Sequence, residues 1–327
     1  MPHAIAPPAS FTLNTGAEIP SVGLGTWQAP PGQVAAAVEH ALKSGYRHID
    51  GALIYQNEAE VGAGIKASGI PRSEIFLTSK LWNTYHESDA AVEACLDETL
   101  ASLGVDYLDL YLIHWPVRLV SNESSKLLPV NPDGSRAVDR DWDMSKTWAS
   151  MEKLLRTGKV KAIGVSNWSI PYLEKLKEKW TVVPAVNQVE LHPFNPQHEL
   201  KAWCDEHGIL MEAYCPLGST NSPLLSDPEL SAIAAKHGVS PATILISYQP
   251  QRGIVVLPKS VSASRIESNL KLITLDDEDM DRLNSMAAKG KQQRVNTPLF
   301  GWDLGFDDWY PEQAKEKLAR GGYNQKW

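Results

Sequence analysis

Residues 106–116 read DYLDLYLIHWP. Beyond Asp109, the side chains of Leu110, Tyr111, Leu112 and Ile113 follow one another without a polar break, and the run ends on His114. A strand with one wet face alternates apolar and polar residues, whereas a strand apolar on both sides belongs to a parallel sheet covered by helices. The stretch therefore predicts a buried parallel strand with an ionisable ring at its tip.

The same pattern, a short apolar run followed by an amphipathic stretch, recurs on either side. The strand candidates are Val22 to Gly25, His48 to Gly51, Ile75 to Leu81, Leu108 to His114, Val160 to Asn167, Val186 to His192, Leu210 to Pro216 and Ile254 to Pro258. Between them lie helix candidates such as Gln33 to Ser44, with Val34, Ala37, Val38, Ala41 and Leu42 on one face, and Ala90 to Leu103, with Val92, Cys95, Leu96, Thr99 and Leu100 on one face. Eight β-then-α units with no break in composition predict a closed (β/α)8 barrel and one domain over residues 1–327. An open doubly wound sheet would bring a glycine fingerprint, and the candidates fail: Gly62 and Gly64 are followed by Ala67, and Gly23 and Gly25 by Gln28.

Ahead of the barrel, Phe11 to Leu13 and Glu18 to Pro20 read as a hairpin around Asn14 to Ala17, with residues 1–10 as a flexible lead. Residues 117–143 show little periodicity and hold Pro129, Pro132 and Gly134, so they read as a long loop after the fourth strand. The aromatic and acidic run NTPLFGWDLGFDDWY, 296–310, opens a tail segment extending to residue 327. Insertions of this length in a compact domain are usually functional lids, and both segments are expected at the active-site rim.

Composition narrows the function classes. In the 327 residues, 43% hydrophobic and 21% charged content is ordinary for a globular protein. A net charge of -8 gives no basic field for nucleic acid or an anionic membrane surface. No apolar run is long enough for a transmembrane helix, and MPHAIAPPAS lacks the features of a signal peptide, so a cytosolic chain is expected. Cys95, Cys204 and Cys215 have no Cys-x-x-Cys spacing and suggest neither a disulfide framework nor a zinc site.

In a barrel of this kind the chemistry gathers at the C-terminal ends of the strands. There the chain places Asp50 with Tyr55 close behind, Lys80, His114, Ser166-Asn167, Gln188, Tyr214 and Lys259-Ser260, and no trio of metal ligands. A phenol with a pKa near 10 is a poor acid at neutral pH, but an ammonium within about 4 Å lowers it, by about three units at most. Tyr55 is thus expected to be made acidic by Lys80, with Asp50 holding Lys80 and His114 orienting a carbonyl oxygen. Trp27, Trp82 and Trp115, at or near strand ends, read as walls of an aromatic substrate pocket, with Phe300 and Trp302 closing over it. Taken singly, each residue has a structural alternative: a buried backbone-bonded His114, a water-reaching Lys80, packing tyrosines, or helix caps at Asp50, Ser166 and Asn167. Their arrival in order at one rim favours the joint role, and His48 reads as structural.

GYRHIDGALIYQNEAEVG (45–62), FLTSKLW (76–82), YLIHWP (111–116), IGVSNW (163–168), NQVELHP (187–193) and VLPKSVSASRIESN (256–269) together resemble the aldo-keto reductases. The resemblance runs in order over nearly the whole chain. The N-terminal half and LGSTNSPL (217–224) are most similar to the fungal branch of NADP-dependent glycerol dehydrogenases and aldehyde reductases. The resemblance implies Tyr55 as proton donor, Asp50 and Lys80 as its tuning pair, His114 as the carbonyl-orienting residue, and NADP(H) as cofactor. It further implies that Ser166, Asn167 and Gln188 hold the nicotinamide carboxamide and that Tyr214 stacks on the ring. Lys259, Ser260 and Arg265 would bind the adenosine 2′-phosphate, with further cofactor contacts at Thr26, Trp27, Asp50, Leu217, Ser219, Val261 and Asn269. Ser268 precedes Asn269 where the family often has Glu, and Glu267 stands one place earlier. The implied partner is a small carbonyl or alcohol substrate, and the implied state a monomer or weak dimer. Two other classes fit the same fold: a cofactor-binding regulatory subunit without turnover, and a Schiff-base aldolase using Lys80.

Overall fold

The computed structural model describes residues 5–219, 222–298, 300–301 and 303–309. A hairpin of β1 (Ser10–Thr12) and β2 (Glu18–Pro20) precedes the barrel strands β3 (Leu24–Gly25), β4 (His48–Asp50), β5 (Phe76–Leu81) and β6 (Leu108–Ile113). A short pair, β7 (Arg118–Leu119) and β8 (Val138–Asp139), interrupts the series, which resumes with β9 (Val160–Ser166), β10 (Val186–Glu190), β11 (Leu210–Tyr214) and β12 (Ile254–Val256). The eight barrel strands are parallel and adjacent in chain order. Bridges from Val22 to Val256 and from Gly25 to Lys259 join the first strand to the last and close the cylinder. Closure removes the exposed edges that an open sheet must protect.

Helices α1 (Val34–Lys43), α2 (Glu58–Ser68), α3 (Asp89–Leu103), α4 (Met144–Leu154), α5 (Ile170–Lys177) and α6 (His198–Glu206) supply successive crossovers. Helices α7 (Pro228–His237) and α8 (Pro241–Gln251) lie between β11 and β12, and α9 (Ala263–Asn269) and α10 (Asp277–Ser285) follow. Their starts are set by local chemistry: Ser88, Asp143, Asp227, Ser240 and Asp276 each accept a backbone N–H of the first turn.

Strand β6 shows why the opening run is apolar throughout. Leu110 and Leu112 pack inside the barrel with Phe76, Ala162, Val186 and Val255, while Tyr111 and Ile113 pack outward against the helical layer with Val92 and Cys95. Leu13 and Ile19 of the hairpin join the interior cluster and close the N-terminal end of the barrel. Each fully buried Leu or Ile contributes about 1.5–3 kcal/mol. Gly23 is needed because a Cβ there would come within 2.7 Å of His48 Nδ1, so its missing side chain makes room for that ring inside the barrel.

Several boundaries differ from the sequence reading. The first hairpin strand is Ser10–Thr12 and the first and last barrel strands are shorter than expected, ending at Gly25 and Val256. Residues 117–143 are more ordered than aperiodic spacing suggests: β7 and β8 pair, Val130 bridges Arg136, and Arg118 pairs with Asp139. The signal is weak because these strands are two residues long and held by side-chain bonds, not by hydrophobic alternation.

Candidate active site

At the C-terminal ends of the strands lies a cavity of about 400 Å³. Trp27, Asp50, Tyr55, His114, Trp115, Ser166, Asn167, Gln188, Tyr214, Leu217, Ser219, Lys259 and Arg265 line it, with Gly25, Gln28, Cys215 and Asn296. Thr26, Trp82, Ser260, Val261 and Asn269 do not reach its wall. Thr26 Oγ1 instead bonds Asp50 O at 2.8 Å, and Trp82 is fully buried behind His114, its ring edge-on at 5.4 Å and its Nε1 donating to Leu127 O at 2.6 Å. Trp302 lies outside the described residues, whereas Phe300 is buried with its ring 5.5 Å from that of Trp115.

Lys80 ends β5 with no solvent exposure, and its Nζ donates to both Asp50 oxygens at 2.8 Å and to Gly51 O at 2.9 Å. A buried ammonium is tenable only when paired in this way. Its Nζ is 5.3 Å from the centre of the Tyr55 ring, which meets the His114 ring at 5.8 Å. The expectation that Lys80 makes Tyr55 acidic is corrected here: burial, and then the charge of Asp50, push the phenol well above its ordinary 10.0. The Lys80 ammonium is held by Asp50 and Gly51 O and does not outweigh that burial. The phenol is consequently protonated across the neutral range, the resting state a proton donor requires. Burial and the nearby Lys80 hold His114 uncharged, well below 6.5. Its Nδ1 is buried without a partner, leaving Nε2 as the nitrogen that can meet a ligand.

Beside this group, Ser166 and Asn167 do not cap the fifth helix. Ser166 Oγ donates to Gln188 O at 2.7 Å; Asn167 Nδ2 donates to His114 O at 3.0 Å and Ser166 Oγ at 3.1 Å. Gln188 Nε2 donates to Asp50 Oδ1 and Glu212 Oε2, both at 2.8 Å, and Tyr214 OH donates to Asn167 Oδ1 at 2.7 Å. Every donor hydrogen of these three polar side chains is therefore used internally, and what they can still offer a ligand is acceptor capacity. A primary amide presents two N–H donors and is complementary to such a surface.

The far end of the cavity carries Lys259 and Arg265, both exposed. Neither pairs with a carboxylate among the described residues, and desolvation together with the charge of Arg265 holds Lys259 below its ordinary value. Two facing cations without a counter-charge suit an anion such as a phosphate. Glu267 turns instead to His40 Nε2 at 2.9 Å, on α1. The site therefore fits a dinucleotide with an extra phosphate: an acceptor-rich floor for an amide, a tyrosine ring, and a cationic pair. Gly25 lets β3 pack closely on the segment carrying Lys259, since a Cβ there would stand 3.2 Å from Leu257 O.

Sequence reasoning missed Gln28, Cys215, Asn296, Glu190 and Glu212. Glu212 was visible as an acid inside the apolar run LMEAY, and Glu190 stands likewise in VNQVE. Glu190 is fully buried, and its two oxygens accept Val295 N and Asn296 N at 2.7 Å, tying the C-terminal segment to β10. Beyond it, Arg294 grips Asp308 through two bonds of 3.0 and 2.8 Å. Backbone strain also concentrates here: of the six described non-glycine residues with positive φ, Gln28, Asn167, Cys215 and Ser219 line the cavity. Away from the cavity, His237, Asp276 and Asp279 approach within 4.8 Å, with Lys236 Nζ 2.5 and 3.0 Å from the two carboxylates as their counter-ion.

A closed parallel barrel with an Asp-Tyr-Lys-His group at its rim defines a carbonyl-oxidoreductase architecture, and the profile of the aldo/keto reductase family matches residues 21–288. The chain belongs to that family. It is 51% identical to D-galacturonate reductase of Hypocrea jecorina over 91% of this chain and 98% of the relative. It is 50% identical to glycerol 2-dehydrogenase (NADP(+)) of Saccharomyces cerevisiae, over 88% and 94% of the two chains. Among solved structures it resembles aldose reductase from Schistosoma japonicum, with a TM-score of 0.85, 38% identity, and coverage of 92% of this chain and 99% of that one.

Proposed function

We propose that the protein reduces small aldehydes to alcohols with NADPH and, in reverse, oxidises alcohols such as glycerol with NADP+. The observation that carries this reading is one cavity lined by a protonated Tyr55, an uncharged His114 and Asp50, which pairs with the buried Lys80, together with the cations Lys259 and Arg265, which pair with no carboxylate among the described residues. The names of the relatives, an NADP-dependent glycerol dehydrogenase and a uronate reductase, agree with it.

Lys259 and Arg265 would hold the 2′-phosphate of the cofactor, Ser166, Asn167 and Gln188 would accept the N–H groups of its carboxamide, and Tyr214 would pack against its ring. NADPH, when bound, supplies the hydride. His114 donates from Nε2 to the carbonyl oxygen and fixes its direction, and Tyr55 delivers the proton that converts the developing alkoxide into the alcohol. Lys80 and Asp50 keep a neutral, water-free floor beneath the phenol. Trp27 and Trp115 form an apolar wall of the cavity, with Phe300 packed against Trp115, suited to aldehydes of varied shape. The Schiff-base alternative is disfavoured because Lys80 is fully buried and its three hydrogens are all donated.

The exposed large apolar side chains among the described residues are Ile5, Val120 and Leu225, too scattered for an obligate interface, which supports a monomer or weak dimer. No described helix is long and apolar enough to cross a membrane, and buried reduced Cys95 and Cys204 are compatible with work in the cytosol. The test is NADPH oxidation with DL-glyceraldehyde: Tyr55→Phe retains NADPH binding and loses carbonyl reduction by roughly 10²–10⁴-fold. Wild-type turnover in that variant removes Tyr55 from its role, and a wild-type protein that binds NADPH but reduces no aldehyde is a regulatory subunit instead.

A further inference from the structure

Beneath the Lys80–Asp50 pair the barrel interior holds a second carboxyl group that takes no part in the chemistry above. Glu212, in the middle of β11, has no solvent exposure. Its Oε2 accepts from Gln188 Nε2 at 2.8 Å, and the same nitrogen donates to Asp50 Oδ1 at 2.8 Å, so one amide group bridges two carboxyls. Its Oε1 has no hydrogen-bond partner. His48 Nε2 is 3.8 Å away and already bonded to Thr78 Oγ1 at 3.2 Å. From β4 the neighbours are His48 and Asp50, from β5 Thr78 and Lys80, from β10 Gln188; β12 presents only Ile254, Val255 and Val256. Lys80 is committed to Asp50 and Gly51, and burial holds His48 uncharged with its pKa pushed down to about 4. Among the described residues no uncommitted cation pairs with Glu212.

We propose that Glu212 is a positioning residue whose proton sets the alkaline limit of carbonyl reduction. Uncharged, it braces Gln188 against Asp50 without adding charge to the floor; ionised, it places a second negative charge across the Gln188 amide from Asp50 and disturbs the Lys80–Asp50 pair on which proton delivery by Tyr55 depends. Two features support this. Burial, and then the charge of Asp50, raise the Glu212 carboxyl to about 8, inside the range where such a limit is measurable. Asp50, which shares the Gln188 amide with Glu212, is itself one of the charges that raise Tyr55. The competing buried acid is Glu58, raised to about 7 by burial; it bonds Ser79 Oγ at 2.6 Å, and Ser79 points to the opposite face of β5 from Lys80.

The inference rests on the reductase reading, and kcat/KM for DL-glyceraldehyde with NADPH, followed against pH, separates the two. Wild-type kcat/KM falls about tenfold per pH unit above about pH 8. Glu212→Gln retains the bridge, stays within about threefold of wild type at neutral pH, and moves the fall upward by at least about one unit. No reduction of any aldehyde by the wild type overturns the reductase reading itself; reduction with superimposable profiles in wild type and Glu212→Gln overturns only the role of Glu212. A second measurement covers the case in which Glu212→Gln does not fold. In Glu58→Gln protein the infrared carboxylic-acid stretch disappears in step with the loss of activity, and the absence of any such band, or its loss at a pH unrelated to the limb, refutes the proposal.

Discussion

Asp50→Asn isolates the electrostatics of the floor. The substitution preserves volume but removes the charge paired with Lys80, and it turns one of the two acceptors at 2.8 Å into an amide donor pointing at the ammonium. Gly51 O at 2.9 Å and one amide oxygen remain for three N–H groups that have no access to water. Removing one member of a buried ion pair costs about 3–5 kcal/mol, because the charge left behind is uncompensated. With an unfolding entropy of about 2.1 cal/mol/K per residue, 327 residues convert that loss into a fall in Tm of roughly 4–7 °C. Lys80→Met strands the opposite charge and is expected to cost a similar amount. The double variant removes both charges, so it costs less than either single variant, which with singles of about 3–5 kcal/mol each means a coupling larger than about 3 kcal/mol, while carbonyl reduction stays abolished in all three. Urea unfolding at neutral pH, followed by tryptophan fluorescence, gives the four free energies of the cycle. Single variants that each cost less than about 1 kcal/mol, or losses that simply add, would falsify the view that this pair is a neutral unit shielded from water.

Arg265→Ala raises the KM for NADPH far more than that for NADH, by about tenfold or more for loss of one charge-assisted contact; equal changes in initial-rate assays with both cofactors remove the phosphate contact. Glu190→Gln weakens its hold on Val295 N and Asn296 N, costing that attachment about 1–3 kcal/mol. Hydrogen exchange at those two amides then accelerates while exchange in β6 is unchanged, and equal protection of the two proteins contradicts the assignment. Stability against pH follows four buried groups. Burial depresses His48 from 6.5 to about 4 and His86 to about 3, so the unfolded chain alone takes up their protons and stability falls as pH drops from 6.5 toward those values. Burial raises Glu212 from 4.5 to about 8 and Glu58 to about 7, so stability falls as pH rises above 4.5 toward those values. Between 4.5 and 6.5 the two effects oppose each other, which predicts a plateau with losses on both sides of about 1.4 kcal/mol per proton per pH unit. Urea midpoints measured across this range test it, and a steady rise from the plateau to pH 8 is the outcome that contradicts it.

How legible each feature was follows from how local its cause is. Strand β6 could be read from four apolar neighbours because burial on both faces is written into each side chain. The rim residues Asp50, Lys80 and His114 were found because strand ends in a parallel barrel have a fixed place. The acidity of Tyr55 was misjudged because it depends on a balance among three groups from separate elements: the sequence places Lys80 and Asp50 nearby, not how deeply the phenol is buried. Glu212 was passed over for a related reason, since its importance lies in a shared amide on another strand. Residues 117–143 hid their short pairs because two-residue strands leave no periodic trace. Trp82 reads as a pocket wall by position, yet it packs on the far side of His114, a distinction that only its side-chain direction decides.

The clasp between Glu190 and residues 295–296 depends on peptide hydrogens, which every residue but proline carries. The attachment point is thus indifferent to what is written after it. Apart from Asp308, whose side chain Arg294 grips, evolution or a designer can rewrite the residues beyond Asn296 without renegotiating their union with the scaffold, so this segment can drift while the chemistry underneath stays put.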